Sequence, residues 1–301
     1  MPRACSGSVP EWPAHHPVAI PQLFALERER LLELLRGLTA EDWQRPTPCP
    51  GWSVLGLCAH LLGDDLGWLA RDRDRHLGTP PPSADEAGFV RWLDELQLEW
   101  VRALRRLSPR LVTELLGWSG PPVVAALQQQ DPDRLSGSVG WAAKGPVPLW
   151  LDQLREVSEQ WIHRQQLLQA LGRRSDLRPD LAGPVLDGLR WAYPFRLGRI
   201  SAAAGNTVTI TVRGPVSRTW HLVAGEDGWR YRGRPGPQVI ATMELTTQQA
   251  WRLLTNNLRA GARDQLSRSG SPQILDVLLN TRAIIGAPQW AEDDPPPSPL
   301  S

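Results

Sequence analysis

The sequence predicts a helical bundle followed by a small α+β domain. Three observations predict it. Apolar residues recur at helical spacing in four long stretches before residue 173. Beyond the punctuating segment GRRSDLRPD the pattern changes to period two, with Gly, Pro or Asn between the runs. Helices then return, and strands followed by helices indicate an α+β domain.

Residues 1–20 mix Pro, His and small residues without periodicity and read as a flexible lead-in. His15 and His16 are adjacent there, but a metal site needs three or four converging ligands and no third is near. From Pro21, the residues Phe24, Leu31, Leu34, Leu35 and Leu38 form a helical stripe, and Gly37 marks its end. Thr39 and Asp42 form a cap-like pair. The turn PTPCPG leads to a second helix, capped by Ser53 and running through His60 to about Arg75. A third amphipathic helix spans about Ala84 to Leu107. A stretch rich in Gly, Pro and Trp follows, with a short helix near Val123–Gln130. The fourth long helix starts near Val147 and ends at Gly172. Four long helices with mixed connections read as a four-helix bundle over residues 21–173.

Residues 178–287 form the expected α+β domain. A helix over about Asp180–Tyr193 precedes the alternating segments TVTITVRG, SRTWHLVAG, GWRYRGR and QVIATMEL. Two helices follow, one capped by Thr246 and one with Pro272 in its first turn. Residues 288–301, acidic and then Pro-rich, read as a disordered tail.

Composition narrows the function classes. The 33 basic and 32 acidic residues nearly cancel, which argues against a nucleic-acid surface or a polybasic membrane patch. No apolar run reaches the roughly 18 residues that span a bilayer, and the first twenty residues lack the apolar core of a signal peptide. A soluble, cytoplasmic protein without nucleic-acid or membrane partners is expected. Cys5, Cys49 and Cys58 are too few for a disulfide framework, and Cys58 reads as a small buried hydrophobe.

One constellation carries chemistry. Glu159 and His163 lie four residues apart and share a helix face. His60 has Leu57 and Leu61 as neighbours on its own helix, so it turns inward. Two nitrogens and one oxygen from facing helices make the ligand set of an open zinc-type site. A buried Glu and two buried His are costly alone, and a divalent cation offsets that cost. Asp64, one turn after His60, is the expected outer acceptor for a ligand imidazole. Glu156 reads as a solvated charge.

The segment PCPGWSVLGLCAHL resembles the helix signature of the mycothiol-dependent maleylpyruvate isomerase family, within the DinB-like metalloenzymes. The matching residues are Pro50, Gly51, Trp52, Ser53, Val54, Ala59, His60 and Leu61. Glu159 and His163 match the family's Glu-x-x-x-His motif. The resemblance, over roughly residues 20–287, implies a DinB-like bundle with a divalent metal, usually zinc, on His60, Glu159 and His163. It also implies mycothiol as a thiol cofactor and a sterol-carrier-like second domain. One departure stands out: many relatives have Gly-Arg where this chain has Asn256-Asn257, and Arg252 and Arg259 are the nearby candidates to hold a substrate's anionic group.

Three functions fit this reading: a mycothiol-dependent transferase or isomerase acting on a small electrophile between the domains, a metal-dependent hydrolase, and a non-catalytic ligand-binding or regulatory protein. No residue stands out in the sequence as a separate acid or base.

Overall fold

A computed structural model describes residues 12–13, 19–80 and 86–284. The tail expected over 288–301 and most of the lead-in expected over 1–20 lie outside the described residues. The chain divides into two compact units.

The helical unit takes residues 19–131 and 156–176. It contains α1 (Ile20–Arg36), α2 (Val54–Trp68), α3 (Glu86–Ala103), α4 (Pro109–Gln128) and the greater part of α5 (Leu149–Ala170). Leu31, Leu35, Leu57, Leu61, Val112, Leu116 and Leu167 are buried in one core, so α1, α2, α4 and α5 each contribute a stripe. The Thr39–Asp42 pair caps a single 3-10 turn, Asp42–Gln44, through reciprocal bonds.

The sequence suggests four long helices here, and the structure has five. The Gly- and Pro-rich stretch is not a loop with a short helix near Val123–Gln130 but the 20-residue helix α4, with Pro121 and Pro122 inside it. Each proline removes a ladder donor, which in isolation disfavours a helix. Burial of Val112, Leu116, Val123 and Leu127 on either side holds the helix across the break. Gly120 lets α1 come close, since a Cβ there would stand 3.0 Å from Cγ of Arg28.

The second unit takes residues 132–155 and 177–284, with Trp12 and Pro13. Residues 132–155 therefore leave the contiguous helical segment expected over 21–173. Packing gives the reason. A Cβ on Gly188 would meet Leu154 at 2.8 Å, and Trp150 packs on Trp191 with ring centroids 6.4 Å apart. Trp12, expected in a flexible lead-in, stacks on Trp191 at 4.8 Å.

Helices α6 (Pro179–Leu189) and α7 (Ala192–Leu197) precede a sheet of β1 (Asn206–Arg213), β2 (Arg218–Gly225), β3 (Gly228–Arg232), β4 (Gln238–Thr246) and β5 (Ser267–Gly270). The strand order is β3-β2-β1-β4-β5, with β1 and β4 parallel and the other pairs antiparallel. Val208, Ile210 and Val212, then Trp220 and Leu222, then Met243 and Leu245, alternate into the core. Thr246 caps α8 (Thr247–Leu254) in a full capping box with Gln249. The short α9 (Ala260–Asp264) and the polar edge strand β5 carry no apolar period and were not legible in the sequence. The last helix, α10 (Pro272–Asn280), ends before the apolar run does. Among the described residues, no helix is long and apolar enough to cross a membrane.

Candidate metal centre

Ser53 starts the helix that carries His60, its Oγ accepting from the Gly56 amide. Leu57, Cys58 and Leu61 are fully buried around His60, which is itself 6% exposed. On α5, buried Val157 and Trp161 fix the rotation that brings Glu159 and His163 to the same face. His163 is 8% exposed. Glu159 is the more open of the three, with its side chain 32% exposed.

The three groups converge. His60 Nε2 lies 3.1 Å from His163 Nε2. Glu159 Oε1 is 3.0 Å from His163 Nε2 and 3.9 Å from His60 Nε2. One ligand atom from each of the three lies within 4.8 Å of the others. Asp64 Oδ2 joins them, 3.2 Å from His60 Nε2.

The outer ring nitrogens decide what the inner ones can do. His60 Nδ1 is 2.9 Å from Gln97 Oε1, and Gln97 Nε2 donates to Asp64 Oδ1 at 3.1 Å. An amide that donates with its nitrogen to Asp64 presents its oxygen to His60, so Nδ1 carries the proton. His163 Nδ1 is 2.6 Å from Gln166 Oε1, an oxygen that also accepts from Cys49 Sγ at 3.2 Å, so this Nδ1 is the donor too. Both Nε2 atoms are then lone pairs that face each other across 3.1 Å beside two carboxylates. Four acceptors with no donor among them repel unless a positive species sits between them. A divalent cation or a shared proton supplies it, and two nitrogens with carboxylate oxygens match a zinc-type donor set.

The charges of the cluster follow from this arrangement. Burial pushes the Glu159 carboxyl up, but with protons on His163 and His60 in place of a cation, their hydrogen bonds and charge outweigh it and hold it well below the ordinary range. Burial pulls the His163 imidazole down, yet contacts with Cys49 and Glu159 raise it well above its usual value. The Asp64 carboxyl is raised, mainly by burial.

Outer networks orient the two ligand helices. Arg28 of α1 donates to Asp65 Oδ1 at 2.8 Å and to Gln160 Oε1 at 2.9 Å. Ser119 Oγ also donates to Asp65. Arg164 pairs with Glu27 at 2.8 Å and with Asp176 at 2.9 Å. Asp65, Gln160 and Arg164 are the chain neighbours of Asp64, Glu159 and His163, so these buried bridges set the rotation of α2 and α5.

Gly63 positions the Gln97 contact. A Cβ at Gly63 would stand 2.5 Å from Trp100 Nε1, and that indole donates to the Ala59 carbonyl at 2.8 Å. Trp100 thereby seats α3 on α2, and Gln97, one turn earlier, reaches His60. Gly63→Ala is expected to push α3 away and to destabilise the chain by about 1–3 kcal/mol. Urea unfolding checks this; an unchanged midpoint would contradict the close approach.

The structure brings together His60, Glu159, His163 and Asp64, four of the residues singled out in the sequence. Asp64 does not accept the outer N–H of His60 directly: it holds Gln97, which does, and its second oxygen faces the centre. Glu156 is half-buried rather than solvated and borders a small recess with Asp64, Asp65 and Gln160. Arg252 and Arg259 belong to the other unit. The Arg252 guanidinium lies over the Trp251 ring at 5.4 Å, and its pKa is lowered by burial and by Arg259. Cys58 is fully buried, and burial pushes its thiol up.

Three contributors escaped the sequence. Cys49 Sγ is 3.2 Å from Gln166 Oε1 and 3.9 Å from His163 Nδ1. Gln166 had a signal, since it stands three residues after His163 on one face. Gln97 and Cys49 had none, because only folding places them beside α2 and α5.

Fold and site together define a class: a helical unit that presents a His–Glu–His cluster from facing helices, followed by a five-stranded α+β unit. Residues 24–168 match the family described as mycothiol maleylpyruvate isomerase N-terminal domain. The chain is 26% identical over 225 residues to the uncharacterized proteins MT0041 and Rv0036c of Mycobacterium tuberculosis strains CDC 1551 / Oshkosh and ATCC 25618 / H37Rv. Those matches cover 69% of this chain and 77% of each relative. Two crystal structures share the fold, a mycothiol-dependent maleylpyruvate isomerase (TM-score 0.53, 16% identity) and its histidine-to-alanine mutant (TM-score 0.52, 15% identity). Each match covers 86% of this chain and 96% of the other.

Proposed function

We propose that the protein is a metal-dependent enzyme that uses mycothiol to transform a small electrophile, as a transferase or an isomerase. The observation that carries this reading is the pair of inward Nε2 lone pairs, 3.1 Å apart, beside Glu159. The match of residues 24–168 to the mycothiol maleylpyruvate isomerase N-terminal domain supports mycothiol as the thiol. His60, Glu159 and His163 would hold a divalent cation, with zinc favoured by the donor set.

A cation held there lowers the pKa of a coordinated thiol and supplies a thiolate near neutral pH. The chain's own groups do the rest. Gln97 and Gln166 keep the outer protons in place, so the inner nitrogens stay available as ligands. Asp64 Oδ2, at the edge of the cluster, is placed to receive the proton that an arriving thiol gives up, and burial suits its carboxyl to hold it. The Trp52 ring, 4.8 Å from the His60 ring, walls that side of the site. Asn256-Asn257, where the resemblance implies Gly-Arg in many family members, points to a substrate other than maleylpyruvate.

The same Asp64 position favours a second reading, a hydrolase in which this carboxylate serves a water molecule instead of a thiol. Cobalt-substituted protein separates the two. Mycothiol is expected to change the visible cobalt absorbance, and a panel of electrophiles is expected to be consumed only when the thiol is present. No spectral change, and consumption no faster than with His60→Ala, would reject the thiol reading.

Acid is expected to weaken metal uptake. In the metal-free chain His163 keeps its proton to higher pH than usual, and a cation must displace it. Below the folded pKa each pH unit lost costs about tenfold in apparent affinity, or about 1.4 kcal/mol, for one displaced proton. Above it the affinity levels off. Calorimetric titrations between about pH 6 and about pH 8 check the slope; a flat profile would contradict displacement of a ligand proton.

A further inference from the structure

Outside the metal centre, several buried or half-buried arginines have a carboxylate. Arg28 meets Asp65, Arg164 meets Glu27 and Asp176, and Arg218 meets Asp187. A group of arginines in the second unit shares a neutral acceptor instead. Asn256, just past the end of α8, has a left-handed backbone (φ 58°), a conformation that Gly and Asn tolerate best. Asparagine therefore fits this turn and adds a side-chain acceptor. That acceptor is used twice: Asn256 Oδ1 receives Arg263 Nη2 at 2.8 Å and Arg282 Nε at 2.9 Å.

Two guanidiniums thus meet on one neutral oxygen. Arg196 of α7 is near enough for its charge to act on Arg282. Arg196, Arg263 and Arg282 are all half-buried, and none has a carboxylate partner among the described residues. Nε of Arg196, Nε of Arg263 and Oη of fully buried Tyr193 have no hydrogen-bond partner among the described residues. Burial, with Arg263 and Arg196 adding to it, pushes Arg282 down to about 10. Such a cluster is costly as it stands, because three like charges and several unmatched donors face one another.

We propose that Arg263 and Arg282, which meet on Asn256, with Arg196 in the same unit, bind an oxyanion group of a small molecule, a carboxylate or a phosphate. Guanidinium forks match both groups, and an anion would satisfy the donors and cancel the repulsion together. All the residues lie within the second unit, and the inference does not rest on the metal reading.

The test uses the full chain, with and without bound metal, titrated with inorganic phosphate and separately with malonate. Sodium chloride at matched ionic strength is the control. At least one of the two anions is expected to bind saturably and to raise the melting temperature beyond chloride. Preference for phosphate assigns a phosphoryl ligand, and preference for malonate assigns a carboxylate. Arg263→Gln is expected to weaken binding at least tenfold, and Asn256→Gly, which keeps the left-handed turn, to weaken it less. Arg282 also donates to the Leu279 and Thr281 carbonyls, so Arg263 is the cleaner position to change. The anion-free Arg263→Gln protein is expected to melt no lower than the parent, because a repulsion has been removed. His60→Ala is expected to leave anion binding intact, which separates this site from the metal centre. Neither anion exceeding chloride, or Arg263→Gln binding as tightly as the parent, would overturn the proposal.

Discussion

His163→Ala is expected to abolish stoichiometric metal in the purified protein and to remove thiol-dependent turnover with it. The substitution deletes one of two nitrogens that face each other at 3.1 Å and releases Glu159 Oε1 from its closest partner. A site left with one imidazole and a partly exposed carboxylate falls below the three protein ligands that open catalytic sites use. Gln97→Leu and Gln166→Leu provide a graded comparison. Each frees an outer imidazole nitrogen without touching a ligand and should lower metal affinity by about 10–100-fold. Elemental analysis with competition titrations checks the series. Equal metal content in parent and His163→Ala would remove the assignment of the centre.

The largest stability effect is expected at Arg28. Its guanidinium is 5% exposed and serves Asp65, Gln160 and the Leu116 carbonyl at once. Arg28→Met leaves the Asp65 carboxylate buried without its cation, which costs about 3–5 kcal/mol. Replacing Asp65 with leucine as well should cost less than the sum of the two single changes, because no uncompensated charge remains. Urea unfolding of the two single variants and the double variant measures the coupling. Metal content should fall in Arg28→Met too, since Asp65 and Gln160 adjoin Asp64 and Glu159. Full metal content in a folded Arg28→Met protein would show that the bridge supports stability without setting ligand geometry.

The ligand set was legible because its spacing is local. Glu159 and His163 sit one helical turn apart, and Leu57 and Leu61 declare the inward face of α2. The contacts that set the tautomers were not. Gln97 reaches His60 only because Gly63 admits Trp100, and Cys49 reaches His163 only through a turn that has no period. Helix α4 was missed for a related reason. Gly117, Gly120, Pro121 and Pro122 are breakers by local propensity, and burial on both sides of them outweighs it. Strand β5 was missed because its pairing with β4 supplies what its four polar residues do not.

By itself, the sequence determined the helices α1, α2, α3 and α5, the strands β1 to β4, the cap residues Ser53 and Thr246, and the faces that carry His60, Glu159 and His163. Those properties depend on residues within a turn or two of each other, where periodicity and capping act directly. The tertiary structure alone decided that residues 132–155 join the second unit, that glutamines orient both imidazoles, and that Arg263 and Arg282 share Asn256. Each of these joins residues far apart in the chain, and their meeting is set by packing and burial, which no local pattern encodes.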